Sequence, residues 1–124
     1  MFEIKSDHTR SIIEFKLQGM VRNEEIDAFI AELQEVTTKF AGDEIKIKAD
    51  LRLFRPSSQE VADKIKAVQR FGLENGVKRV AELVESDMVA LQLNRVARES
   101  GTDKILRRFA EEAPALVWLV HGDD

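Results

Sequence analysis

The sequence predicts a two-layer α/β domain, in which a mixed, mostly parallel sheet of about five strands carries helices chiefly on one face. Three features lead there. After an opening hairpin, strand patterns alternate with helix patterns in the order β-β-α-β-α-β-α-β-α, which calls for crossover connections and parallel strands. The stretch 44–53 is polar at every second position, so one side of the sheet meets solvent rather than a second helical layer. The 124 residues contain no Pro/Gly-rich linker, repeat or low-complexity tract, and fit one domain, residues 1–124, around a single core.

Each element has its own signal. Residues 2–5 are extended, with Phe2 and Ile4 on one side. In residues 11–18, Ile13, Phe15 and Leu17 alternate with Glu14, Lys16 and Gln18; Asp7 and Arg10 bracket the turn between these two strands. Asn23 is placed to cap a helix whose first turn holds Glu24, Glu25 and Asp27, where the helix dipole favours negative charge. Ile26, Phe29, Ile30, Leu33, Val36 and Phe40 form its apolar stripe, and Gly42 closes it. Ile45, Ile47, Ala49, Leu51 and Leu53 share one face of the third strand; Lys46, Lys48, Asp50 and Arg52 share the other. A helix from Gln59 to Gly72 follows, with Val61, Ile65, Val68 and Phe71 inward. Residues 77–84 form a more apolar, more central strand, and Met88–Glu99 a helix with Met88, Leu91, Leu93 and Val96 available for packing. Gly101 suits the left-handed residue just beyond that helix. A short strand at 104–109 leads to a last helix from Glu111 to Val120, with Leu116, Leu119 and Val120 inward and Pro114 in its first turn.

Composition narrows the chemistry. There is no cysteine, which excludes disulfides, thiolate metal sites and cysteine nucleophiles, and suits a reducing cytoplasm. The net charge of −4, from 19 basic and 23 acidic residues interspersed along the chain, argues against a nucleic-acid partner. No apolar run approaches the roughly 18 residues that would cross a bilayer, and the N-terminus lacks the apolar centre of a signal peptide, so no membrane insertion is expected.

Two stretches carry a family resemblance: the strand-to-helix junction at 45–60 and the run RRFAEEAPALVWL, residues 107–119, with Ala115, Trp118 and Leu119 in its closing helix. With the order of elements, they resemble the STAS domain (sulfate transporter and anti-sigma factor antagonist), and more narrowly the small bacterial proteins similar to stage II sporulation protein AA. The resemblance spans nearly the whole chain and implies a STAS-like fold. In the regulatory members, the third-strand-to-second-helix junction carries Asp-Ser-Ser-Gly, whose second serine a partner kinase phosphorylates. Here Pro56 stands at the aspartate position, Ser57 and Ser58 at the serines, and Gln59 at the glycine. The resemblance thus makes Ser57 and Ser58 phosphorylation candidates. It also implies a protein partner, or, since the family is sometimes grouped with Sec14-type lipid carriers, a small-molecule or lipid ligand.

The residues offer a second account of the serines. Ser57 as N-cap with Glu60 three residues on makes a capping box, in which each side chain satisfies a backbone N–H of the other. A phosphate at the same helix N-terminus, with Arg55 nearby, is the competing reading; capping is preferred. Catalysis is not expected. His8 and His121 are far apart in sequence, the serines have no base beside them, no Gly-rich phosphate loop is present, and no metal or cofactor is indicated. Lys46, Lys48, Arg52 and the Arg107/Arg108 pair are basic, but Glu14, Asp50 and Glu82 are expected on the same sheet face, making it a mixed, solvated surface. Trp118 packs on the sheet rim or, if exposed, anchors an interface.

The expected function is therefore a non-enzymatic, cytoplasmic protein–protein interaction domain, with Phe54, Arg55, Pro56, Ser57, Ser58 and Gln59 as its surface. The alternatives are a ligand pocket lined by Phe71, Met88 and Leu91, and a structural homodimer.

Overall fold

The computed structural model describes residues 1–123. Its elements run β1 (Phe2–Asp7), β2 (Ile12–Leu17), α1 (Asn23–Thr38), β3 (Ile45–Asp50), α2 (Gln59–Glu74), β4 (Val77–Leu83), α3 (Asp87–Ser100), β5 (Leu106–Phe109) and α4 (Glu112–His121), with a 3₁₀ turn at Thr102–Lys104. The sheet order is β1-β2-β3-β4-β5. Only β1 is antiparallel to its neighbour; β2 to β5 run parallel. The hairpin turn is held by Asp7, whose carboxylate accepts from the Arg10 backbone N–H (3.1 Å) and Nε (2.6 Å).

Because each parallel strand is laid beside the last, crossovers of one hand deliver all their helices to one face. Accordingly Phe29 and Leu33 of α1, Val61 and Val68 of α2 and Val89 and Leu93 of α3 share one core with Ile13, Ile47, Ala49 and Val80 of the sheet. Among the described residues the other face is covered only by α4, which packs on β3, β4 and β5. There Ala115, Trp118 and Leu119 meet Ile12, Ala81 and Leu83 in a second, smaller core. The outer face of the β1–β2 hairpin stays polar and open, as the alternation in residues 11–18 requires.

Several side chains depart from the expected pattern. Helix α1 begins at Asn23 itself, with Arg22 in the cap position and no side-chain cap. It ends at Thr38, ahead of Gly42, where the Thr37 and Thr38 hydroxyls donate back to the Leu33 and Glu35 carbonyls at 2.7 Å. Strand β3 stops at Asp50: the Phe54 N–H turns back onto the Leu51 carbonyl (3.2 Å), which leaves Leu53 58% exposed and sends Phe54 into the core at 3%. Helix α4 is rotated from the expected stripe, burying Ala115, Trp118 and Leu119 while Val120 faces out. Glu82 was expected on the open face, but strand parity sets it beside Ala49 on the helix-covered side, where it is 3% exposed.

Candidate functional site

In a parallel sheet the C-terminal strand ends and the loops after them lie along one edge, where α/β domains place their sites. Here that edge carries the β3–α2 junction, residues 51–58. Its backbone is fixed from three sides. Toward β2, Gly19 N–H donates to the Leu53 carbonyl (2.8 Å) and Arg55 N–H to the Gly19 carbonyl (3.1 Å). Toward β3, the Asp50 carboxylate accepts from Arg52 through its backbone N–H (3.2 Å), Nε (3.0 Å) and Nη2 (2.8 Å). These bonds hold Asp50 below the usual carboxylate range, against the opposing effect of partial burial. Toward α3, Ser57 N–H donates to Gln92 Oε1 (3.0 Å) while Gln92 Nε2 donates to the Ser57 carbonyl (2.8 Å). One side-chain amide thus satisfies both polar groups of a loop residue, as a strand neighbour would.

The two serines divide their roles differently from the sequence reading. Ser58, not Ser57, is the N-cap: its Oγ accepts from Val61 N–H at 3.2 Å, with extended backbone angles of φ −64° and ψ 161°. The third helical residue is therefore Val61, and the Ser57–Glu60 capping box does not form. Ser57 contributes its backbone, and its half-buried hydroxyl rests 3.5 Å from Gln92 Oε1. Gln59 is also tied down, donating to Asp63 (2.8 Å) and accepting from Arg95 Nη2 (2.7 Å). Arg55, Pro56, Ser58 and Gln59 remain exposed. Of the proposed surface residues, Phe54 is the exception, since its side chain is buried; Leu53 takes its place at the surface.

The supporting helix α3 is itself anchored. Glu82 sits beside Arg108 in the β4–β5 register and accepts from its Nε at 3.0 Å; Nη2 lies at the same distance, too oblique to count as a hydrogen bond. Arg108 Nη1 also bonds Asn94 Oδ1 on α3. Burial pushes the Glu82 carboxyl up from its ordinary range, and the Arg108 charge and hydrogen bond only partly oppose this. Arg107 points the other way, stacking over the Trp118 ring (4.9 Å to its centre) and pairing with Asp123 at 2.6 Å. The adjacent arginines therefore serve opposite faces and form no shared anion site.

The expected ligand pocket lies elsewhere too. Met88 and Leu91 are 70% and 71% exposed, because α3 turns Val89, Leu93 and Val96 inward instead, and Phe71 is only half-buried. An apolar cavity of about 70 Å³ does exist between sheet and helices, lined by Phe15, Phe29, Ile47, Ile65, Leu93 and Glu82 among others. Its volume is about half that of a cavity of about 150 Å³ that admits benzene. His8 stacks on Phe40 (4.5 Å), far in sequence from His121 at the end of α4. Among the described residues no cluster of three or more metal-binding side chains forms, and no helix is long and apolar enough to cross a membrane. Gln92 and Arg95, the groups that tie the junction to α3, carried no sequence signal beyond lying three apart on one helix.

The five-stranded mixed sheet, antiparallel only at β1–β2, and the order of its strands and helices define a fold class, the STAS-like one. Within it the chain belongs to the SpoIIAA-like family, whose model matches residues 12–120. No curated protein matches the chain in sequence. Solved structures share the fold at low identity. An uncharacterized protein of Shewanella loihica PV-4, from the DUF3478 family with a SpoIIAA-like fold, superposes with a TM-score of 0.70 at 19% identity, over 96% of this chain and 92% of that one. The protein TM1081 gives 0.66 at 14% identity, over 98% and 90%. The Bacillus cell fate determinant SpoIIAA, in its phosphorylated form, gives 0.62 at 17% identity, over 94% and 97%.

Proposed function

We propose that this chain is a non-catalytic, cytoplasmic protein–protein interaction domain of the regulatory, anti-sigma-factor-antagonist kind, and that Arg55–Gln59 is the surface it offers to a protein partner. The observation that carries the reading is the combination of rigidity and exposure at the junction. Gln92 and Arg95 hold the backbone and side chains of residues 57 and 59, while Arg55, Pro56 and Ser58 face solvent. A preordered loop loses little conformational freedom on docking. The exposed Leu53 beside it adds apolar surface.

Of the two serines, Ser58 is the better acceptor for a phosphate. Its oxygen already faces the N-terminus of α2, so a phosphoryl group there keeps a hydrogen-bond acceptor at the cap and meets the favourable end of the helix dipole. The Ser57 hydroxyl faces the Gln92 carboxamide oxygen, which a phosphate would repel. That SpoIIAA, a protein of the same fold, was solved in a phosphorylated form supports testing this chain for a phosphate. An apolar ligand held between sheet and helices is less supported, since the cavity there, about 70 Å³, has about half the volume of one that admits benzene.

The experiment is affinity capture from native cells with the unaltered chain and with a Leu53→Asp/Arg55→Glu variant, combined with intact-mass spectrometry. The expected result is a partner held by the first and lost by the second, with any phosphate on Ser58. A partner retained equally by the folded variant would refute the assignment of the surface.

A further inference from the structure

Residues 113–120, APALVWLV, contain no charged side chain and no polar group but the buried Trp118 indole N–H, although only one side of α4 packs on the sheet. Ala115, Trp118 and Leu119 are buried beneath the helix; Ala113, Pro114, Val117 and Val120 face out, with Val117 61% exposed. Residues 113, 117 and 120 recur at four- and three-residue spacing, the stripe by which one helix packs on another. A helix apolar all round is ordinarily buried all round, so this outer face is one the chain leaves uncovered.

The charges at its two ends indicate what covers it. The N-terminal end is acidic, with exposed Glu111 and with Glu112, which pairs with Lys48 at 3.1 Å. The C-terminal end opens on a groove bordered by Lys78, Arg79, Lys104, Arg107 and His121, with Asp123 paired to Arg107. In a net-acidic chain this groove is a local basic site. A surface acidic at one end, apolar in the middle and basic at the other is complementary to itself after a half-turn.

We propose that the outer face of α4 is the interface of a two-fold homodimer in which two α4 helices pack antiparallel across Val117. Such an interface is isologous: whatever one copy presents, the other receives. With Val117 on the axis, Ala113 of one copy lies near His121 of the second. Glu111, the cap residue about 9 Å in axial rise from Val117 at 1.5 Å per residue, stands at the end of α4 that this pairing brings to the second copy's Lys78–Lys104 groove. The helix is only about 15 Å long, which gives less area than the ~800 Å² per partner of a standard interface, so the dimer forms in a concentration-dependent way. This inference is independent of the proposed junction surface.

The absence of cysteine makes the test clean. Val117→Cys puts a single thiol on the proposed axis, and Leu53→Cys, an equally exposed position at the junction, serves as control. Under mild oxidation the expected result is a disulfide dimer of Val117→Cys and not of Leu53→Cys. Sedimentation of the unaltered chain should show reversible association toward twice the 14.1 kDa chain mass. Val117→Asp should abolish it with an unchanged circular dichroism spectrum. Glu111→Lys should weaken it about tenfold, one 1.4 kcal/mol step in affinity, and Lys78→Glu/Lys104→Glu in the same chain should restore it. A monomer at every concentration, a dimer that survives Val117→Asp, or crosslinking at Leu53→Cys instead would each overturn the proposal.

Discussion

Replacing Arg108 by leucine would leave the Glu82 carboxylate on the helix-covered face of the sheet with no countercharge. Glu82 is 3% exposed and its contacts are the Arg108 Nε and Nη2, both at 3.0 Å. Removing one partner of a buried ion pair costs about 3–5 kcal/mol; because the Arg108 side chain is 24% exposed, the lower value applies. A chain of this length unfolds with an entropy of about 0.26 kcal/mol/K, so about 3 kcal/mol lowers Tm by roughly 12 °C. The pH dependence follows from the same burial. The folded-state pKa of Glu82 is raised above its ordinary 4.5, so the native state binds that proton more tightly than the unfolded chain does. The stability this contributes is present below 4.5 and is lost as pH rises through the folded value. In Arg108→Leu the pKa rises further, so the Tm deficit is greatest near pH 8 and shrinks toward pH 5. The compensating variant Glu82→Met/Arg108→Leu removes both charges and should recover more than half of the loss. Thermal melts followed by circular dichroism at the two pH values measure all three. A deficit below about 3 °C at pH 8, roughly 0.8 kcal/mol, or one that does not shrink on acidification, would refute the reasoning.

Three further outcomes follow from the junction. Ser58→Ala removes the cap of α2 and should cost about 1 kcal/mol, roughly 4 °C in Tm, whereas Ser57→Ala, which leaves the backbone pairing with Gln92 intact, should melt close to the unaltered protein; the reverse order would return the cap to Ser57. Gln92→Ala frees the Ser57 N–H and carbonyl, and hydrogen exchange at residue 57 should accelerate about tenfold with little change in the sheet; an unchanged rate would mean the amide contact does not hold the loop. Asp50 titrates below its ordinary 3.8 because of its bonds to Arg52, so its contribution is present above 3.8 and lost as pH falls through the folded value. Asp50→Asn should therefore flatten the acid limb of the stability curve below pH 4 while lowering stability at neutral pH, which an acid titration of the melting temperature checks.

How much of this was written in the sequence depends on whether local pattern or tertiary packing decides a position. The hairpin, the alternating strands and the element order were legible, since a period of two over six residues fits little besides a half-buried strand. The faces of α3 and α4 were not. Met88, Val89, Leu91, Leu93 and Val96 lie around most of the circumference of α3, and only contact with the sheet selects Val89 over Met88. Phe54 follows a strand, and on local pattern alone it belongs at the surface; the turn at 51–54 and the bridge to Gly19 reverse its direction, and neither has a local signature. Glu82 is instructive in the opposite sense. Parity with Val80 already placed it on the core side, and its charge made the wrong face look natural. Its countercharge comes from the adjacent strand, a pairing that exists only once the β4–β5 register is known. The serine position was legible and the cap assignment missed by one residue, the usual uncertainty of a helix end.

The anchoring of α3 bears on how a phosphate at Ser58 would act in the proposed reading. Glu82 and Arg108 fix β4 to β5, Arg108 carries this to Asn94 on α3, and Gln92 and Arg95 on the same helix hold residues 57 and 59. A glycine after the second serine would give the helix start backbone freedom that a phosphate could redirect. Gln59 here lacks that freedom and is bonded on both sides, to Asp63 and to Arg95. A phosphoryl group would therefore meet a turn that is already set, adding about −1.5 to −2 charge three residues from Arg55 in the chain without a new backbone conformation to select. Regulation by phosphate at this junction would then work through charge complementarity with the partner, and the affinity change would fall with ionic strength. A conformational switch would instead survive added salt.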